Sequence, residues 1–168
     1  GSDAAVYRAS NTPATIPAIA VRSHANAVRS CCRPRSNTVA GRAIVTDDVE
    51  KIRAQVRAWI ADPAIDAVIT TGGTGFTGRD STPEALVPLL DKQMPGFGEL
   101  FRALSFEEIG TSTLQSRAFA GLANATFLFA LPGSPSACRT AWERIIAAQL
   151  DARTTPCNLA NLKPRLKE

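Results

Sequence analysis

The sequence predicts an α/β fold, a three-layer sandwich with a mostly parallel central sheet, and three observations carry that reading. Short apolar runs rich in β-branched residues alternate with stretches whose apolar residues recur at helical spacing, as in a sheet covered on both faces. The run Ala67-Val68-Ile69 leads into a glycine-rich turn, and a helix start follows at Thr82-Pro83-Glu84. The run Thr126-Phe127-Leu128-Phe129-Ala130-Leu131, continuously apolar after its threonine, reads as a central strand and passes into Pro132-Gly133-Ser134-Pro135. With right-handed crossovers the two turns, at residues 71–82 and 132–135, open at the same edge of the sheet. Open α/β sheets hold ligands beyond that edge.

Taken in order, residues 1–37 are rich in small residues, prolines and arginines, without helical period; only Ile16 to Val21 reads as a strand. From Val39 the pattern sharpens. Val39 to Val45 reads as a strand and Asp47 to Ala61 as an amphipathic helix, with Val49, Ile52, Val56 and Trp59 or Ile60 on one face. Asp47 with Glu50 three residues on makes a capping box. Beyond the glycine turn, Thr82 is a candidate N-cap, Pro83 suits the first helical position and Glu84 the positive end of the helix dipole. Leu86, Leu89 and Leu90 continue that helix, and Phe97, Leu100, Phe101 and Leu104 mark another. Ser134 can cap a last helix that carries Ala137, Ala141, Ile145, Ile146 and Leu150 on its apolar face. Residues 151–168 read as an extended tail of a single domain spanning 1–168.

Composition narrows the function classes. The 168 residues are 45% hydrophobic and 20% charged, ordinary for one globular domain. No apolar stretch is long enough to span a bilayer and no signal-peptide order is visible, so a cytoplasmic protein with no membrane partner is expected. Cys31, Cys32, Cys138 and Cys157 lack zinc-finger spacing, and reduced thiols are expected. The net charge of +4 sits entirely in residues 1–40, where five arginines face Asp3; the remainder balances 14 basic against 14 acidic residues. With no basic patch interleaved with aromatics, nucleic acid is not an expected partner.

Thr71-Gly72-Gly73-Thr74-Gly75 is a candidate phosphate cradle. Its glycines let the backbone take positive φ and approach an anion, and the Thr71 and Thr74 hydroxyls can supplement the amides. It lacks the Gly-Lys-Ser/Thr ending of a Walker A loop. Asp80 reads either as a Mg²⁺ ligand between protein and phosphates or as a carboxylate that closes the loop on its own backbone. Asp47 reads as a helix cap or as an acidic group at the ligand-facing edge, with Asp48 as its alternate. Ser116 and Ser134 can donate to ligand oxygens or satisfy a turn and a cap. Arg117 can pair with a phosphate or form a surface ion pair. Cys138 reads as a small buried hydrophobe, and His24 has no partners for a triad or metal site.

The string from Thr71 to Glu84, together with Met94-Pro95-Gly96-Phe97-Gly98-Glu99, Leu114-Gln115-Ser116-Arg117, Leu131-Pro132-Gly133-Ser134-Pro135, Ala137 to Trp142 and Thr155-Pro156-Cys157-Asn158, resembles the molybdopterin-binding family of molybdenum cofactor biosynthesis proteins. It is more similar to the MoaB branch than to MogA. The resemblance runs from about Val39 to the C-terminus and leaves residues 1–37 atypical, with Ser10-Asn11-Thr12 the sole echo of the family's first turn. A shifted reading frame and true divergence both account for that stretch, and DNA sequencing separates them. The resemblance implies transfer of AMP from ATP to the terminal phosphate of molybdopterin, with Asp47 and Asp80 catalytic and Asp80 holding Mg²⁺. The implied substrate-binding set is Thr71, Gly72, Gly73, Thr74, Gly75, Thr82, Glu84, Ser116, Arg117, Gly133 and Ser134. It also implies a homotrimer or homohexamer, with other molybdenum cofactor enzymes as partners. A non-catalytic molybdopterin carrier and a nucleotide hydrolase on the same fold are the competing readings.

Overall fold

The computed structural model describes residues 15–22 and 38–166. Ser10 to Thr12, His24, Cys31, Cys32 and most of the atypical leading segment lie outside them.

Six strands form one sheet in the order β2-β1-β3-β6-β5-β4. They are β1 (Thr15–Arg22), β2 (Thr38–Thr46), β3 (Ala67–Thr71), β4 (Lys92–Gln93), β5 (Phe119–Ala123) and β6 (Thr126–Leu131). The layered α/β architecture is the expected one, but the sheet is mixed: among the described strands only β3 and β6 pair in parallel. The physical cause is plain at β5–β6. Asn124 and Ala125, at φ 47° and 61°, make a two-residue turn that can only join antiparallel neighbours. The Asn124 side-chain amide donates to the Ile60 carbonyl at 2.7 Å and its backbone N–H to Asp91 at 2.6 Å, tying the turn to the chain around it.

Alternation along the central strands separates two cores. Val68, Leu128 and Ala130 face Ile52, Val56 and Leu86, which come from α1 (Val49–Ala61) and α2 (Thr82–Leu86). Ala67, Ile69, Phe127, Phe129 and Leu131 face the other way, onto Phe97 and Phe101 of α3 (Pro95–Ile109) and Ile145 and Ile146 of the last long helix. That helix runs from α4 (Pro135–Ala141) through a π-helical turn (Trp142–Ile146) into α5 (Ala147–Gln149). Phe97 meets Phe129 edge to face with ring centroids 5.3 Å apart, a favoured aromatic arrangement.

Helix starts needed tertiary context. α1 begins at Val49, and its cap is Asp48, whose carboxylate accepts from the Lys51 N–H at 2.9 Å. The cap expected at Asp47 is therefore displaced by one residue, because β2 runs on to Thr46, and with Lys51 in the third helical position no capping box forms with Glu50. Thr82 is not a cap either: α2 starts on it after Ser81, and its hydroxyl donates to the Gly72 carbonyl at 2.8 Å. The helix expected to continue to Leu90 stops at Leu86, and a 3₁₀ turn (Val87–Leu89) follows, consistent with Pro88 lacking an N–H to donate. Ser134 caps α4 as expected, accepting from the Ala137 N–H. Among the described residues no helix is long and apolar enough to cross a membrane.

The tail is not extended. Asn158 caps a short α6 (Leu159–Leu162), and Leu159 and Leu166 pack on the chain's own core. Lys163 then reaches back to the start of β3, with its Nζ 2.6 Å from Asp66 Oδ1 and 3.0 Å from the Ile65 carbonyl. Both side chains are nearly buried. Removing one charge of such a pair strands the other in low dielectric, so Lys163→Met should cost about 3 kcal/mol, lowering the melting temperature by roughly 6–12 °C. Restoring neutrality with Asp66→Asn in the same chain should recover part of it. An unchanged melting temperature in the single variant would show that the clamp contributes nothing.

Candidate functional site

β3 and β6 lie side by side in parallel, so their following turns leave the sheet together. The Gly72 N–H donates to the Leu131 carbonyl at 2.9 Å, and a Cβ at Gly133 would stand 3.4 Å from the Gly72 Cα. Gly72 and Gly73 hold φ of 102° and 64°, a region that other L-residues reach only with strain. This folds the loop back so that Thr82 of α2 closes it, by its hydroxyl to Gly72 and its N–H to the Gly73 carbonyl at 3.1 Å.

The turns enclose one end of a pocket of about 240 Å³. Of the expected residues, Gly73, Thr74, Gly75, Asp80, Ser116, Gly133 and Ser134 line it. Thr71, Gly72, Thr82, Glu84 and Arg117 surround the loop without lining the pocket, and Asp47 stands further out. The sequence reading missed the far wall: Ser105 of α3, and Ser112, Thr113 and Gln115 of the 3₁₀ turn Gly110–Gln115. Gln115 belongs to the Leu-Gln-Ser-Arg string and was the available signal; nothing local marks Ser105 or Ser112 as pocket residues.

Asp80 is held hard. Its Oδ2 accepts from the Thr77 N–H at 2.8 Å and the Thr77 hydroxyl at 2.6 Å. The Thr77 hydroxyl bond is the first cause that keeps its carboxyl below the ordinary 3.8, with backbone donors of Thr77 and Gly75 and the charge of Arg117 adding to it against the effect of burial. The loop-closing reading of Asp80 is realised in this geometry, and the residue still lines the pocket. Asp47, released from capping, accepts the Ser81 hydroxyl at 2.7 Å, which fastens a second carboxylate to the residue next to Asp80.

Arg117 faces the loop itself. Its Nε donates to the Gly75 carbonyl at 2.8 Å, its Nη2 to the Asp80 carbonyl at 2.9 Å, and its backbone N–H to the Thr74 carbonyl at 2.9 Å. Its Nη1 pairs with Glu84, whose carboxyl this bond holds below the ordinary 4.5, and its guanidinium carbon lies 5.4 Å from the centre of the Phe76 ring. Cys138 touches Thr71 and donates to the Pro132 carbonyl, and burial pushes its thiol up from 9.0, as suits a packing residue.

Among the described residues no three His, Cys, Asp or Glu side chains gather into a metal cage. The donor present in the pocket is one hard carboxylate, that of Asp80 beside the glycine loop, which fits a Mg²⁺ ion that takes most of its ligands from water and phosphate.

A family model described as probable molybdopterin binding domain matches residues 18–152. Molybdenum cofactor biosynthesis protein B of Escherichia coli (strain K12) is 58% identical over 141 residues, 84% of this chain and 81% of that protein. The protein of the same name from Staphylococcus carnosus (strain TM300) is 47% identical over 110 residues, 65% of this chain and 64% of its own. A crystal structure of molybdenum cofactor biosynthesis protein B superposes with a TM-score of 0.64 at 40% identity, covering 73% of this chain and 71% of that one. Tungsten cofactor synthesizing protein MoaB from Pyrococcus furiosus does so with a TM-score of 0.56 at 42% identity, covering 60% and 64%.

The loop is crowded where it matters. A Cβ on Gly75 would stand 2.8 Å from Asp80 Oδ2, whereas one on Gly78 meets nothing within 4 Å. Gly75→Ala should therefore push Asp80 off its Thr77 donors and destabilise the chain by about 1–2 kcal/mol, while Gly78→Ala should be near neutral. Equal melting temperatures for the two variants would count against a fixed Asp80.

Proposed function

We propose, from the premise that this chain belongs to the family described as probable molybdopterin binding domain, that it transfers AMP from ATP to the terminal phosphate of molybdopterin. The chain is a molybdenum cofactor biosynthesis protein. One observation carries the finer reading. The turns after two parallel strands meet in a single pocket whose polar groups are hydroxyls, the Gln115 amide, glycine backbone and one carboxylate. Its 240 Å³ falls below the roughly 300–1,000 Å³ of sites that enclose a whole ligand, so it suits one end of a larger molecule.

In this reading the glycine-loop amides and the Thr74, Ser116 and Ser134 hydroxyls bind phosphate and pterin oxygens. An oxygen of the pterin phosphate attacks the α-phosphorus of ATP; the new P–O bond forms as the bond to pyrophosphate breaks, and pyrophosphate leaves. Such chemistry rests on positioning and on charge stabilisation, since the protein supplies no covalent intermediate. Mg²⁺, held by Asp80, would offset the charge on the phosphates when bound. The setting proposed is the cytoplasm, with other molybdenum cofactor enzymes as partners.

A second reading, a molybdopterin carrier without turnover, is favoured by a specific observation. Asp80 and Arg117, the residues best suited to metal and phosphate, are already engaged by the loop's own Thr77 and Gly75 and by Glu84 of α2. ATP, Mg²⁺ and molybdopterin offered together are expected to give adenylylated pterin and pyrophosphate. Binding without product would put the carrier in its place, and ATP consumed without pterin would favour a hydrolase.

A homotrimer, or a hexamer of two trimers, belongs to the same proposal. Phe106, Ile109 and Leu114 are large exposed apolar side chains at the end of α3 and in the turn after it, and are suited to covering by a second copy. A monomer in light scattering at micromolar concentration would remove this part.

Asp80→Asn separates the roles of Asp80. The amide carbonyl can still accept from Thr77, so loop and melting temperature should survive. Loss of the charge should slow single-turnover AMP transfer by on the order of 10²-fold or more, with a shifted Mg²⁺ dependence. A variant within about twofold of the parent at every Mg²⁺ level would leave Asp80 as loop structure alone.

A further inference from the structure

We propose that Arg117 is the positioning residue of the glycine loop: it fixes the shape in which Thr74 to Asp80 meets a ligand, and Glu84 fixes Arg117. The inference rests on the reading of that loop as the phosphate site.

The geometry is a fork across a loop. Nε and Nη2 each take a different backbone carbonyl, Gly75 and Asp80, and the backbone N–H takes a third, Thr74. The span from Gly75 to Asp80 contains Phe76, Thr77, Gly78 and Arg79, all exposed and outside any helix or strand. Left alone, such a segment samples many conformations and would lose that freedom on binding. One guanidinium holds both ends of the span and lies near the Phe76 ring between them. Asp80 is thereby fixed twice, at its carbonyl by Arg117 and at its carboxylate by Thr77.

Arginine suits this task and lysine does not. The guanidinium presents five donors in a rigid planar fork, so it can serve Gly75, Asp80 and Glu84 in three directions at once. An ammonium is a point donor at the end of a flexible stem. Glu84 stands in the first turn of α2 with its side chain about half exposed, and exposed ion pairs contribute little to global stability. Its contribution is therefore orientation: it holds Nη1 so that the other two donors face the loop. Arg117 itself sits just ahead of β5, next to Ser116 on the pocket wall. It thus connects the wall that carries Ser116 to the loop that carries Asp80.

The test compares Arg117→Lys, Arg117→Ala and Glu84→Gln with the parent, and uses Arg144→Ala, which breaks an exposed ion pair with Glu107 elsewhere, as control. Two readouts are taken on the full chain: amide hydrogen exchange over residues 73–81, and the Kd for Mg·ATP. Both Arg117 variants should speed exchange in that segment on the order of tenfold and raise the Kd on the order of tenfold. Glu84→Gln should do so less, and the control not at all, with melting temperatures close to the parent's. Exchange unchanged in both Arg117 variants would overturn the proposal. So would faster exchange with an unchanged Kd, because the loop's order would then serve no ligand. A parent that binds no Mg·ATP would remove the AMP-transfer reading; the same variants would then be titrated with molybdopterin, and a parent that binds neither would overturn the loop's role as a ligand site along with this proposal.

Discussion

The parallel pairing of β3 with β6 is the constraint on which the rest of the site depends. Parallel neighbours end at the same edge, so the glycine turn and the Pro132-Gly133-Ser134 turn emerge together, and the Gly72–Leu131 hydrogen bond continues the ladder into them. Both strands are almost fully buried between helical layers, which prevents either from slipping by a residue without turning its core face out. The pocket inherits that rigidity. It is lined by the two turns that leave that edge, at residues 73–75 and 132–134, together with residues of α3 and of the 3₁₀ turn Gly110–Gln115.

Charge at the loop is handled by pairing within the protein. Asp80 is kept ionised by hydrogen bonds from Thr77 and by the nearby Arg117. Glu84 and Arg117 satisfy each other beside it. A loop with its own charges already paired needs little reorganisation when a ligand arrives, which is how preorganised sites reduce the entropy lost on binding. The same pairing engages Arg117 with the loop's backbone carbonyls and with Glu84.

Adjacent residues of the same type divide the labour here. Of Asp47 and Asp48, the second caps α1 and the first takes Ser81; of Ser81 and Thr82, the first reaches Asp47 and the second closes the loop on Gly72. Each pair shares a chemistry, and geometry a residue away from the pair decides which member does what.

The sequence by itself determined the layered α/β class, the buried strands through 67–69 and 126–131, the presence of the helices through residues 52–60, 97–104 and 137–150, and the two turns that form the site, because burial writes apolar period and glycine directly into local residue choice. Ser134 was legible as a cap for the same reason. Tertiary structure alone decided four further matters. The strand Phe119-Ala120-Gly121-Leu122-Ala123 has a weak intrinsic preference for sheet and is imposed by its hairpin with β6, which also makes the sheet mixed. The helix starts at Val49 and Thr82 were set by where the preceding strand and loop end. The tail folded back because Lys163 found Asp66, a partner far away in sequence. Arg117 turned to the loop's carbonyls, since which of several acceptors a long, flexible cation meets depends on distances between segments that only the packed chain brings together.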